Sequence, residues 1–240
     1  RWATLTGANL RWVPLMETNL WYATLTGADL TGADLSGATL TEATLWGASL
    51  TGVNLTGATW TGAYLSGANL TEADLRGADL SGADLRWATL TEANLTGATL
   101  TGADLTEANL YMAILQEATL AEATLTHATL TGATLTGADL EGFNLYGVRS
   151  GGIIGDPASL PTDWLLINGY LIGYGTDLTG ADLRGVIFEG AWTNLIGANL
   201  TGTNLSGADL SGADLTGADL RWAYLRFATL SGATFTGATL

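Results

Sequence analysis

The stretch "TGADLTGADLSGATLTEATL", residues 26–45, decides the fold. Leu stands at every fifth place, Ala two places before it, Asp or Thr one place before, Thr or Ser one place after, and Gly or Glu after that. A period of five is neither the 3.6-residue period of an amphipathic helix nor the two-residue alternation of a strand. A chain meets it by turning a corner once per repeat, so that Leu and the preceding Ala face inward and the other three positions face outward. Four such repeats, the length of the quoted stretch, close a square coil, and coils stacked at the β spacing of about 4.8 Å bond backbone to backbone. Gly relieves crowding at the corner.

Working outward, Leu occupies every fifth position from Leu5 to Leu145, with Trp60 the sole substitution. A second run centres on Leu178, Leu183 and Phe188, slips by two residues through "EGAWTNL" (189–195), and continues in fives from Leu195 to Leu240. Together they predict roughly ten coils and a rod about 50 Å long.

The pattern A(D/N)LxG, repeated through "TGADLTGADL", resembles the pentapeptide-repeat family, and in particular its long, Leu-centred cyanobacterial members. The resemblance implies an all-β fold, a right-handed quadrilateral β-helix. It divides the chain into a first run (1–147), a non-repeat loop and hairpin (148–175) and a second run (176–240), forming one continuous solenoid. It fixes no function, because one fold hosts many. A cyanobacterial source is consistent with it; the cellular compartment is left open.

In the interruption, Pro157 and Pro161 bracket a loop, and "WLLINGYLI" (164–172) places Asn168-Gly169 between two apolar segments, the signal of a two-residue hairpin turn. The expectation is a hairpin packed against the side of the rod. "GGIIGD" (151–156) is similar to a glycine-rich calcium-binding nonapeptide but occurs once, without the repetition that builds such a site.

Eight basic residues, all Arg, against 23 acidic ones give a net charge of −15, which disfavours direct contact with nucleic acid phosphates. There is no Cys, hence no disulfide and no thiolate metal site, and no apolar run reaches membrane-spanning length. The single histidine, His127, stands one coil beyond Glu107, and the expected contact is a solvated ion pair between them. No nucleophile–base constellation is present, so the reading is non-enzymatic, with no cofactor, no metal, no evident small-molecule substrate and no membrane insertion.

What remains is aromatic. In this register Arg1-Trp2, Arg11-Trp12, Trp21-Tyr22, Arg86-Trp87, Arg221-Trp222 and Arg226-Phe227 sit on the outside of corners, and Tyr224 joins them in the last coil. Most crowd the two ends, while the middle uses Thr, Ser, Gly and Glu at those positions. One reading is local: each Arg lies over a neighbouring ring and stiffens a terminal coil. The preferred reading makes Arg1, Trp2, Arg11, Trp12, Trp21, Tyr22, Arg221, Trp222, Tyr224, Arg226 and Phe227 an interaction surface, since exposed Trp and Arg dominate interfaces. The protein is then a rigid acidic rod that assembles end to end, or holds a protein partner, through its terminal coils. The alternative, suggested by family members that protect a topoisomerase, is a mimic of duplex DNA that regulates a DNA-binding enzyme.

Overall fold

A computed structural model describes residues 2–188 and 193–240. Consecutive coils pair in parallel at a spacing of 20 residues, as in Thr4↔Thr24 and Asn9↔Asp29, so four five-residue repeats make one turn of a four-sided solenoid. Each bridge is a single residue wide, because the wall between two corners is only that long. The Leu and Ala columns fill the interior, and Leu25, Leu55, Leu90 and their equivalents are fully buried.

The repeat Ala28–Gly32 shows why this motif closes a corner. Its five backbone N–H groups are all satisfied. Ala28 donates to the Leu25 carbonyl across the turn (2.9 Å), Asp29 back to Ala8 in the previous coil (2.9 Å), and Leu30 and Gly32 forward to Ser49 and Thr51 in the next (2.7 and 2.9 Å). The fifth, on Thr31, donates to Asp29 Oδ1 at 3.0 Å, and the Thr31 hydroxyl donates to the same oxygen at 2.6 Å. Asp or Asn before Leu and Thr or Ser after it are therefore one hydrogen-bonded device. The second residue after Leu, Gly32, takes a φ of +66°, the left-handed region that a type II turn requires at this position.

The hairpin forms at the expected turn. Strand β1 (Leu165–Ile167) pairs antiparallel with β2 (Tyr170–Ile172), with Asn168 and Gly169 at φ of 50° and 78°. It is not laid against the side of the rod. Leu171 and Ile172 are fully buried, the first packed with the core of the first run and the second with that of the second run, so β2 passes between the two cores. Ser150 Oγ accepts from the Leu171 N–H at 2.9 Å inside that junction. The glycines of "GGIIGD" serve this passage. A Cβ on Gly151 would stand 2.9 Å from the Tyr170 ring, and Gly169 sits against the backbone of Gly152 and Ile153.

Ladder spacing widens to 28 residues across the hairpin (Arg149↔Asp177), is 22 in the next coil (Asp177↔Asn199), and returns to 20 at Asn199↔Asp219. The slip itself falls on residues 189–192, outside the described residues. The excess over two regular coils amounts to half a turn. Thr239 consequently stands in the row of Asn9, and Trp222 in the column of Trp12 rather than that of Trp2.

Candidate interaction surface at the rod ends

At the corners, bulky residues replace Gly at the second place after Leu. Trp2, Trp12, Tyr22, Trp87, His127, Trp222 and Phe227 all keep the left-handed backbone, with φ between 56° and 62°. For such side chains this costs roughly 1–2 kcal/mol per residue. Their side chains lean one way, toward the coil that follows. The Trp12 indole covers Gly32, Met112 covers Gly132 and the His127 ring covers Gly147, each one coil further on.

At the start of the rod the rings fall onto the rod itself: Trp2 stacks on Tyr22 with centroids 4.7 Å apart, Tyr22 stacks on Trp21 at 5.2 Å, and Trp12 lies on Gly32. Arg11 reaches Asp29 in the next coil, Nη1 to Oδ2 3.2 Å. In coil 221–240, Trp222 and Phe227 are 82% and 78% exposed, against 73% and 71% for Trp2 and Trp12. Leu240 is 80% exposed and, with Arg221 and Trp222, lines a cavity of about 460 Å³. Tyr224 is exposed beside them on the adjoining wall. The structure thus separates the sequence-derived residues into two groups far apart along the rod, with Trp12 and Trp222 in one column; Arg1 lies outside the described residues.

The arginines divide. Arg226 lies over Phe227 (4.7 Å from guanidinium carbon to ring centroid) and Arg86 over Trp87 (5.4 Å). Arg221 instead forks onto Asp219, with Nε to Oδ1 at 2.9 Å and Nη2 to Oδ2 at 2.5 Å. Hydrogen bonds from Arg86 and from Arg221 hold the Asp84 and Asp219 carboxyls below the usual range. His127 turns forward, over Gly147 and edge-on to Tyr146 at 5.5 Å, rather than back to Glu107.

Comparison with known proteins places this corner-by-corner geometry in a family. The family described as Pentapeptide repeats matches overlapping segments that span residues 15–149 and 191–240. The chain belongs to the pentapeptide-repeat family. Among solved structures it is similar to HetL of Nostoc sp. strain PCC 7120, a pentapeptide-repeat protein involved in regulating heterocyst differentiation, with 32% identity over 97% of this chain and 86% of that one and a TM-score of 0.58. Rfr23 of Cyanothece 51142 is 38% identical over 43% of this chain and 64% of its own, with a TM-score of 0.30. QnrB1, a plasmid-mediated fluoroquinolone resistance protein, is 18% identical over 86% of this chain and 89% of its own, with a TM-score of 0.42. No curated protein sequence matches. The fold is accordingly the right-handed quadrilateral β-helix of pentapeptide-repeat proteins.

The pentapeptide rod also carries exposed aromatics along its middle coils. One corner bears exposed Trp46, which meets Tyr64 edge-on at 6.5 Å, then Trp87, and then a run in which His127, Tyr146 and Tyr174 touch in succession. Residues 46, 66, 86, 106, 126, 146 and 174 share a column, which repeated addition of 20 reveals up to Tyr146; the 28-residue step at the hairpin hides Tyr174. Among the described residues no helix is long and apolar enough to cross a membrane, and no cluster of three or more His, Asp or Glu could hold a metal.

Proposed function

We propose that this pentapeptide-repeat protein is a non-enzymatic interaction rod that docks protein through the aromatic corners of coil 221–240. The observation that carries the reading is the exposure of Trp222 and Phe227 on left-handed corners. Both residues accept a strained backbone (φ 62°) and leave a large apolar ring 82% and 78% exposed. Backbone strain combined with exposed apolar surface points to a contact that the isolated chain does not make.

Charge supports the same end. Of the 23 acidic residues none falls in 221–240 and only Glu17 in 1–20, so the flanks of the rod carry nearly all the repulsion. Imitation of duplex DNA has less to stand on. The Asp carboxylates serve the wall, bonding turn N–H groups as Asp29 and Asp209 do, or forking to Arg as Asp74, Asp84, Asp182 and Asp219 do.

The test is light-scattering mass over a dilution series for the native chain and the double variant Trp222→Ser/Phe227→Ser. Association that the variant weakens tenfold or more supports end docking. Equal masses at every concentration contradict it. Inhibition of topoisomerase supercoiling by the native chain, undiminished in the variant, would favour the DNA-mimic reading.

A further inference from the structure

The aromatic corner of the middle coils is periodic along the rod. Rings stand at Trp46, Trp87, His127 and Tyr174, two coils apart each time, with Tyr64 and Tyr146 in two of the coils between and Glu107 in the third. Trp46, Trp87 and Tyr174 are about half exposed. Trp87 and His127 hold φ of 57° and 58°, a left-handed backbone that Gly67 and Gly147 adopt in the same column without strain. Rings are therefore kept on this corner at a cost to the fold.

Closure, composition, spacing and charge together select an occupant. The backbone seam is continuous, with Gly47 N–H donating to Ser66 O (3.1 Å), Trp87 to Thr106 (3.0 Å), His127 to Tyr146 (2.8 Å) and Gly147 to Gly175 (2.9 Å), so no ladder edge is open to an added strand. An occupant is held by side chains alone and keeps its own backbone in water, as a polyproline II helix does. The corner exposes rings, hydroxyls and charged groups but no Leu, Ile, Val or Met, unlike the apolar groove that takes an amphipathic helix. Two coils span about 9.6 Å, and one three-residue turn of polyproline II spans about 9.3 Å. From Trp46 to Tyr174 the mismatch grows only to about 1 Å, so prolines at every third place meet all four rings. Arg86 forks onto Asp84 (Nη2 to Oδ2 2.7 Å) and stands 3.7 Å from Asp104. Three carboxylates, on Asp84, Asp104 and Glu107, against that single Arg leave a net charge of −2 at the centre of the corner, in a chain of −15. That field repels phosphorylated or sulfated polymers and draws a basic one.

We propose that the Trp46–Tyr174 corner docks a basic, proline-rich segment of a protein partner in the polyproline II conformation, with prolines on Trp46, Trp87, His127 and Tyr174 and a basic side chain on Glu107. The rings supply flat apolar faces for the pyrrolidines, and the Trp N–H and Tyr O–H groups supply donors for the segment's free carbonyls. The segment arrives already extended, so little ordering entropy opposes a contact of modest area. This surface is separate from coil 221–240 and does not rest on the reading given for it.

Fluorescence polarisation of a labelled decapeptide that repeats Pro-Pro-Arg three times and closes on Pro tests this. Trp46→Thr/Trp87→Gly is the informative variant, because both replacements restore what equivalent corners carry, Thr26 and Gly67, and so keep the fold. The native chain is expected to bind at near-physiological salt, the double variant at least tenfold more weakly, and Glu107→Gln several-fold more weakly. Trp222→Ser/Phe227→Ser should bind like the native chain, which separates this surface from coil 221–240. Equal binding by the native chain and Trp46→Thr/Trp87→Gly would overturn the corner as the site. Equal binding of a decapeptide that repeats Gly-Gly-Arg would show charge attraction alone and overturn the polyproline occupant. No binding at millimolar peptide would overturn the proposal, and quenching of Trp emission by cellohexaose in that case would assign the rings to a neutral sugar chain instead.

Discussion

The Trp12 indole covers Gly32, one coil further along the rod, so closely that a Cβ on Gly32 would stand 2.0 Å from a ring carbon. The same forward contact recurs at Met112 and Gly132 and at His127 and Gly147. It gives the rod a direction, since each of these side chains lies on the coil that follows its own.

The contact at Gly32 can be isolated by a pair of substitutions. Gly52 has a similar φ (60° against 66°) and open space where a Cβ would go. Gly32→Ala and Gly52→Ala should both lose roughly 1–2 kcal/mol from the left-handed backbone. Gly32→Ala should lose about 1 kcal/mol more, because the ring must leave its seat. Urea unfolding of the two variants checks it; equal losses would show that the seat contributes nothing.

Leu90 is fully buried in the middle of the ladder, whereas Leu230 in the last coil is 36% exposed. Leu90→Ala should cost about 2–5 kcal/mol, the range for tight cores. Leu230→Ala should cost well under half of that, measured on dilute protein so that association does not contribute.

The hairpin should be intolerant at its turn. Gly169 has a φ of 78°, and a Cβ there would stand 3.1 Å from the backbone nitrogens of Gly152 and Ile153, which cannot move without disturbing the buried β2. Gly169→Ala should destabilise by roughly 2–4 kcal/mol, combining backbone strain with overpacking. Calorimetry of the variant checks it.

Several carboxyls have lowered pKa values: Asp84 through its fork with Arg86, Asp139 through Ser159, and Asp79, where burial pushes up but the hydrogen bonds from Ser81 and Thr61 together pull further down. A group whose folded pKa lies below its unfolded value adds stability above the unfolded value, about 3.9 for Asp, and loses it as pH falls through the folded one. The rod should therefore keep its stability down to about pH 4 and weaken below that. Asp79→Asn keeps the Oδ1 acceptor, as Asn94 shows by bonding Thr96 N–H at 3.0 Å, and should flatten the acid limb of the unfolding midpoint against pH.

The period of five, the inward Leu and Ala, and the hairpin at Asn168-Gly169 were legible in the sequence because each is a local rule repeated or punctuated along the chain. The direction of side-chain lean was not, since it depends on where a Cβ projects from a left-handed corner relative to the neighbouring coil. Nor was the half-turn of added phase: Trp222 matches Trp2 in sequence but stands over the column of Trp12, because the hairpin and the slip add residues between them. The burial of β2 was missed for a similar reason. Its residues are apolar in any reading, and only the ladder shows that they close the passage between two cores.

The central claim is that the rod associates through coil 221–240 and not along its flank. Hydrogen exchange of the native chain over a dilution series tests this most directly, because docking on coil 221–240 slows exchange there. The account predicts protection that rises with concentration at Trp222, Leu225, Phe227 and Leu230, with no change along the Trp46–Tyr174 corner. Protection that rises along that corner while 221–240 stays unchanged would contradict it.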